Sequence, residues 1–138
     1  MNIINLQKIA ENLKNYICKK YQLKDIKIKV KKINRGRAIC KSRFISIPAW
    51  AYYEANIYHY IYYILHELSH FINYDNHNGI GHDIKFKEIE KNLLFEFKIK
   101  PKYKKAYIKE LWNLKNELLY IGKSINLYNI ANNIKEEI

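Results

Sequence analysis

Cysteine is scarce in this chain: only Cys18 and Cys40 occur, far apart and with no CxxC pair. One disulfide is the most they could make, and free thiols in a reducing compartment are the more economical reading. Long apolar runs are also missing. The most apolar stretch, from Tyr52 to Ile72, is interrupted by Glu54, Asn56, His59, His66, Glu67 and His70, which excludes a membrane span. The first residues lack the short apolar core and small-residue cleavage site of a secretory signal. Instead Ile3, Leu6, Ile9, Leu13, Tyr16 and Ile17 recur at helical intervals, so the segment reads as the first helix of a mature cytoplasmic protein. There is no internal repeat, no low-complexity linker and no glycine-rich phosphate loop. Acidic residues are few as well: 13 against 25 basic ones leave a net charge of +12.

What remains is a chain of 138 residues, 49% hydrophobic, long enough for one core but not for separate catalytic and targeting modules. It is read as a single α+β domain over residues 1–138. Residues 1–22 form the N-terminal helix and 26–47 a small antiparallel sheet. Alternation of Ile26, Ile28 and Val30 with lysines makes Lys27 to Ile33 a strand with one solvated face. Asn34-Arg35-Gly36 is a turn, Arg37 to Lys41 a second strand, and Phe44 to Ile47 a third that stops at Pro48. Residues 49–97 hold two helices. Beyond them, 102–138 are expected to be helical: Tyr107, Leu111, Leu114, Leu118 and Ile121 are spaced by four and three, Gly122 ends that run, and Ser124 caps a final helix. A hairpin turning near Asn113 to Asn116 is the alternative.

Chemistry concentrates in His66-Glu67-Leu68-Ser69-His70, an HExxH sequence. The preceding Tyr58 to Leu65 is apolar and free of glycine and proline, and Phe71 and Ile72 continue it, so the motif is expected on a helix. Residues i and i+4 share a helix face, which lets both imidazoles reach one metal ion. Glu67 projects at a neighbouring angle and can address a water on that ion without being a ligand, the position of a general base. Tyr62 and Tyr63, one turn earlier, either line the cleft or pack in the core. His59 is a turn too distant to share the ion and is assigned to packing or a hydrogen bond.

A site of this kind needs a third protein ligand. After Tyr74 the polar, glycine-containing Asp75 to Gly81 ends the helix and turns the chain back, and His82 follows directly. Asp83 is a candidate N-cap for a second helix carrying Phe86, Ile89, Leu93 and Leu94. The alternatives for the third ligand are His77, Glu88 and Glu90. His77 is one residue out of step with a histidine six residues after His70, where Asn76 stands; the two glutamates would suit an acidic ligand on a downstream helix.

The pair of motifs, His66 to His70 and Gly81-His82-Asp83-Ile84-Lys85-Phe86-Lys87, resembles the SprT-like zinc metallopeptidases and the related WLM-type domains. In these, HExxH is followed after a variable loop by a histidine opening a helix, commonly His-Gly-x-x-Phe. Histidine, aromatic and lysine match here, while Asp83 stands where the family usually has glycine. The resemblance covers the central half of the chain, from about Ile39 to Phe97. It implies a minimal zincin-like domain with one catalytic Zn2+ held by His66, His70 and His82, with Glu67 as the catalytic base. It further implies a protein or peptide substrate that adds as a strand along the sheet edge bordering the cleft; Arg43 to Ile47 is the candidate edge. Some SprT-like proteins append a zinc ribbon, for which this chain has no CxxC pair. Tyr74, Tyr103 and Tyr107 are candidates for stabilising an oxyanion. Peptidases that accompany phage or mobile-element repressors also carry HExxH, but usually with an acidic third ligand, and the Gly81-His82 to Phe86 match separates this chain from them.

The charge raises a further expectation. A field of +12 on so small a domain favours DNA, RNA or acidic proteins, and SprT-like enzymes include proteases acting on DNA-bound proteins, so nonspecific nucleic acid is a candidate partner and DNA a candidate activator. Yet the chain is rich in Ile, Asn and Tyr, a bias that enriches lysine whatever the function. The richest basic cluster, Lys98 to Lys105 around Pro101, reads equally as a solvated linker. The rival reading is a basic, zinc-stabilised nucleic-acid-binding or structural protein without turnover.

Overall fold

The computed structural model describes residues 1–97, 99, 101–102 and 119–120. Helix α1 (Ile3–Lys20) starts where the Asn2 side-chain oxygen accepts from the Asn5 amide at 2.9 Å, satisfying one of the donors that every helix start leaves over. Leu6, Ile9, Leu13 and Ile17 are all buried, so the apolar stripe of the sequence is the face that packs.

Strands β1 (Lys27–Lys31), β2 (Arg37–Ile39) and β3 (Phe44–Pro48) form one sheet in the order β1-β3-β2. β3 pairs antiparallel with β2 but parallel with β1, with Ile28 opposite Ile45 and Val30 opposite Ile47. The sheet is therefore mixed rather than antiparallel, and the segment expected at its edge, Arg43 to Ile47, supplies the central strand. Burial gives the reason. Ile45, Ser46, Ile47 and Pro48 are all buried, so β3 is covered on both faces. β1 alternates, with Lys27, Lys29 and Lys31 solvated, as suits an outer strand. Arg43 itself lies in the turn before β3 with a left-handed backbone (φ 56°). Its guanidinium grips both Asp75 carboxylate oxygens at 2.6 and 2.9 Å and the Lys24 carbonyl at 2.8 Å, above the Phe71 ring. That clasp ties the sheet to the next helix.

The two outer strands end differently. The Gln7 amide acts as a substitute strand for β1, donating to the Ile28 carbonyl at 2.7 Å and accepting from the Val30 amide at 2.9 Å. On the other side, β2 has no second strand partner among the described residues.

A short π-helical segment, Ala51–Ala55, leads into α2 (Ile57–His77), whose first turn is capped by the Asn56 side chain accepting from the His59 amide at 2.9 Å. From His59 to Ser69 every residue of α2 is buried, because α1, the sheet and the following helix pack around it. Tyr60, for example, donates its hydroxyl to the Leu6 carbonyl at 2.6 Å. α2 runs three residues beyond the end at Tyr74 that the polar stretch suggested. Asp75, Asn76 and His77 are exposed and so continue the helix without burying a polar group, until left-handed Asn78 (φ 51°) stops it with its amide on the Tyr74 carbonyl. Helix α3 (Ile84–Glu96) packs back against α2.

Pro101–Lys102 (β4) and Leu119–Tyr120 (β5) pair antiparallel. At those last two residues the chain is extended, where the spacing suggested a helix. The rest of the segment, with most of the Lys98–Lys105 cluster, lies outside the described residues. Among the described residues, no helix is long and apolar enough to cross a membrane.

His59 is fully buried between the Trp50 and Tyr63 rings, and burial pulls its pKa from 6.5 down to about 4. The folded chain thus refuses a proton that the unfolded chain accepts below pH 6.5. This contribution leaves stability unchanged above pH 6.5 and erodes it as the pH falls towards 4. Between pH 6.5 and 4.5, wild type should lose roughly 2–3 kcal/mol more unfolding free energy than His59→Leu. Denaturant titrations at both pH values check this, and equal losses in the two proteins would refute it.

Candidate metal centre

Two elements converge on one spot. α2 contributes His66 and His70, one turn apart, and the start of α3 returns His82 to face them. Two local devices make the return possible. Gly81 adopts φ +70°, a left-handed turn that favours glycine. Gly79 lies against Asn73, whose side-chain atoms would sit 2.2–2.5 Å from any Cβ placed there. Asn73 in turn donates to Asp83 Oδ1 at 3.1 Å, and the same oxygen caps α3 by accepting from the Phe86 amide at 2.9 Å. Asp83 has an ordinary extended backbone (φ −73°, ψ −177°), so aspartate does here what requires no glycine.

The imidazoles form a compact group. Nε2 of His66 and Nε2 of His82 stand 3.1 Å apart, and one ligand atom from each of His66, His70 and His82 lies within 4.8 Å of the other two. Ligand nitrogens at 2.0–2.1 Å from a tetrahedral metal are separated by roughly 3.3 Å, so the spacing suits a shared ion. Phe86 closes the base of the group, stacked on His70 at 4.3 Å and edge-on to His66 at 5.1 Å.

Glu90, one turn after Phe86 on α3, completes the arrangement. Its Oε2 meets Nδ1 of His66 at 2.5 Å, with both residues buried. A carboxylate there keeps a proton on Nδ1 and leaves the Nε2 lone pair facing the other two histidines, the usual support for a metal-binding imidazole. Burial alone would lower the pKa of His66; the Glu90 carboxylate outweighs it and the net shift is upward. His70 and His82 go the other way. Burial, reinforced by neighbouring imidazoles, takes His70 to about 3 and His82 to about 4, which keeps both as neutral donors at physiological pH.

Glu67 is buried in the same cleft and is not one of the three grouped ligands. Burial raises its carboxyl to about 7, against the opposing pull of His66 and Arg35. The cleft has a volume of about 830 Å³ and is lined by the three histidines, by Arg35 to Lys41 and by Gly79 to Gly81. The strand along it is β2, so the edge bordering the site is β2 and not Arg43 to Ile47.

His66, His70 and His82 come together with Glu67 beside them. His77 is exposed in the last turn of α2 and Glu88 is exposed on α3, and neither joins the group. Glu90 is at the site, but on the far nitrogen of His66 rather than with the ligands; its four-residue spacing from Phe86 was the signal available. Tyr63 lines the cleft and accepts from the Gly36 amide at 2.9 Å, whereas Tyr62 is buried beside the His66 ring. Tyr74 also lines the cleft, while Tyr103 and Tyr107 lie outside the described residues. Cys18 and Cys40 are both free, and Cys40 faces the cleft with its thiol on the His70 carbonyl at 3.8 Å.

The group of three histidines is close enough to bind a metal ion. Removing the Glu90 carboxylate should then weaken metal binding, probed with added Zn2+, roughly 10–100-fold, with Glu88→Ala as the unaffected control. Competition titration against a chromophoric chelator measures both, and equal affinities for Glu90→Ala and wild type would contradict the assignment. No protein-family model, curated protein or solved structure matches this chain.

Proposed function

We propose that this chain is a zinc-dependent peptidase, of the kind that its HExxH and Gly-His-x-x-x-Phe motifs resemble, with Zn2+ held by His66, His70 and His82. The observation that carries this reading is Glu67. A buried carboxylate in the same cleft as three convergent imidazoles, but outside their group, supports a role as proton acceptor for a water held there. The chemistry an ion in this position supplies is Lewis acidity, which acidifies water towards neutrality and polarises a carbonyl.

The protein's own groups supply the rest. Glu90 holds the His66 proton at Nδ1 and so fixes that ring. Phe86 packs its ring against His70 on the inner side of the histidines. Glu67 takes a proton from the attacking water and returns it to the departing amine. The edge of β2, unpaired among the described residues, offers backbone donors and acceptors to an extended substrate, which recognises a main chain without demanding particular side chains. Nucleic acid enters through the solvated lysines of β1, which add a nonspecific attraction for DNA-associated substrates.

Glu67→Gln should keep about one zinc per chain and lower peptide hydrolysis by roughly 10²–10⁴-fold. Assay of the zinc-loaded variant against a mixed peptide pool checks it. Turnover near that of wild type would overturn the role of Glu67; a wild type that binds zinc and nucleic acid but cleaves nothing would favour the non-catalytic binding protein.

A further inference from the structure

Basic residues are abundant in this chain, but arginine is not. Of the 25 lysines and arginines only three are arginine: Arg35, Arg37 and Arg43. A compositional bias towards lysine explains the rest of the charge and leaves these three positions as places where a planar guanidinium fork differs in effect from an ammonium. Arg43 demonstrates the difference, since its fork takes both oxygens of Asp75. Arg35 and Arg37 have no such partner: among the described residues neither forms an ion pair, both are exposed, and both line the cleft.

Their placement is rigid at its centre. Gly36, between them, is buried, its amide is held by the Tyr63 hydroxyl, and a Cβ would come within 2.3 Å of the Ser46 carbonyl and 2.8 Å of the Tyr63 ring. The backbone is thereby pressed onto α2 one turn before His66, and the two arginines on either side of it are presented at the cleft. Both arginines line the same cleft as Glu67 and the three histidines. Among the described residues, Lys41 joins them as a third cation lining the cleft, against the buried carboxylate of Glu67.

We propose that Arg35 and Arg37 form a carboxylate-recognising subsite, so that the cleft selects peptides carrying Asp or Glu beside the scissile bond; this rests on the peptidase reading above. A guanidinium fork would accept phosphate equally well, but the edge of β2 distinguishes the two ligands. It presents both N–H and C=O groups, which a peptide main chain can match with acceptors and donors, while a phosphodiester chain offers acceptors only. Ala38, Ile39 and Ile80 add apolar wall to the same cleft.

The test uses zinc-loaded Glu67→Gln protein and fluorescent peptides that differ only in Asp and Glu against Asn and Gln, with binding read by anisotropy. The acidic peptide should bind at least about tenfold more tightly. Arg35→Gln/Arg37→Gln should erase the preference with zinc content unchanged, and Arg35→Lys/Arg37→Lys should lose most of it despite equal charge. Equal binding of the two peptides, or a preference that survives the glutamine pair, overturns the proposal. So does single-stranded DNA that binds more tightly than the acidic peptide and is lost with the same arginines. Hydrolysis by wild type separates the two readings: cleavage without acidic preference removes the subsite and leaves the peptidase, whereas arginine-dependent acidic binding without cleavage leaves the subsite and removes the peptidase.

Discussion

The contact between Glu90 and Nδ1 of His66 is the constraint on which the centre depends. It joins α3 to α2 in the interior, where both side chains are buried, and it decides which nitrogen of His66 faces outward. A pair of this kind is a weak source of stability, since desolvating the two groups offsets most of their attraction, while removing one partner leaves an uncompensated charge. Its value lies in orientation. With His66 fixed, the return of His82 through Gly79 and Gly81 brings a third imidazole to the same point, and Phe86 fills the space beneath. The Asn73–Asp83 hydrogen bond then couples the end of α2 to the start of α3, so that one short connection sets both the helix cap and the position of His82.

Much of this was legible from the residues. The i, i+4 histidines on an apolar helix, the polar stretch before His82 and the capping aspartate all act within a few residues, and local rules describe them. What the sequence hid depends on longer range. The parallel pairing of β1 with β3 follows from β3 being covered on both faces, and no property of Phe44 to Pro48 alone distinguishes a buried centre from a half-buried edge. For the same reason the strand bordering the cleft is β2 and not the neighbouring Arg43 to Ile47. The length of α2 was underestimated because polar Asp75 to His77 look like a loop, whereas an exposed last turn tolerates them. Glu90 was visible as a candidate but not in its role, because a ligand and a supporting carboxylate have the same spacing and differ only in which imidazole nitrogen they meet.

The charge distribution separates two kinds of basic residue. Lysines such as Lys27, Lys29 and Lys31 decorate a solvated strand face and give the domain a general positive field. The arginines are placed individually. Arg43 clamps the turn before β3 to α2, and Arg35 and Arg37 flank a glycine that cannot carry a side chain. A positive surface of the first kind steers any anion, whereas the second kind can discriminate among anions by shape.

The central claim is that His66, His70 and His82 hold one zinc ion, and metal content tests it most directly. Mass spectrometry of tag-free wild type and His82→Ala, purified in parallel and supplied with zinc, should find about one zinc per chain in the first and little in the second. Wild type that stays metal-free under those conditions, or His82→Ala that retains a full equivalent, would contradict the account.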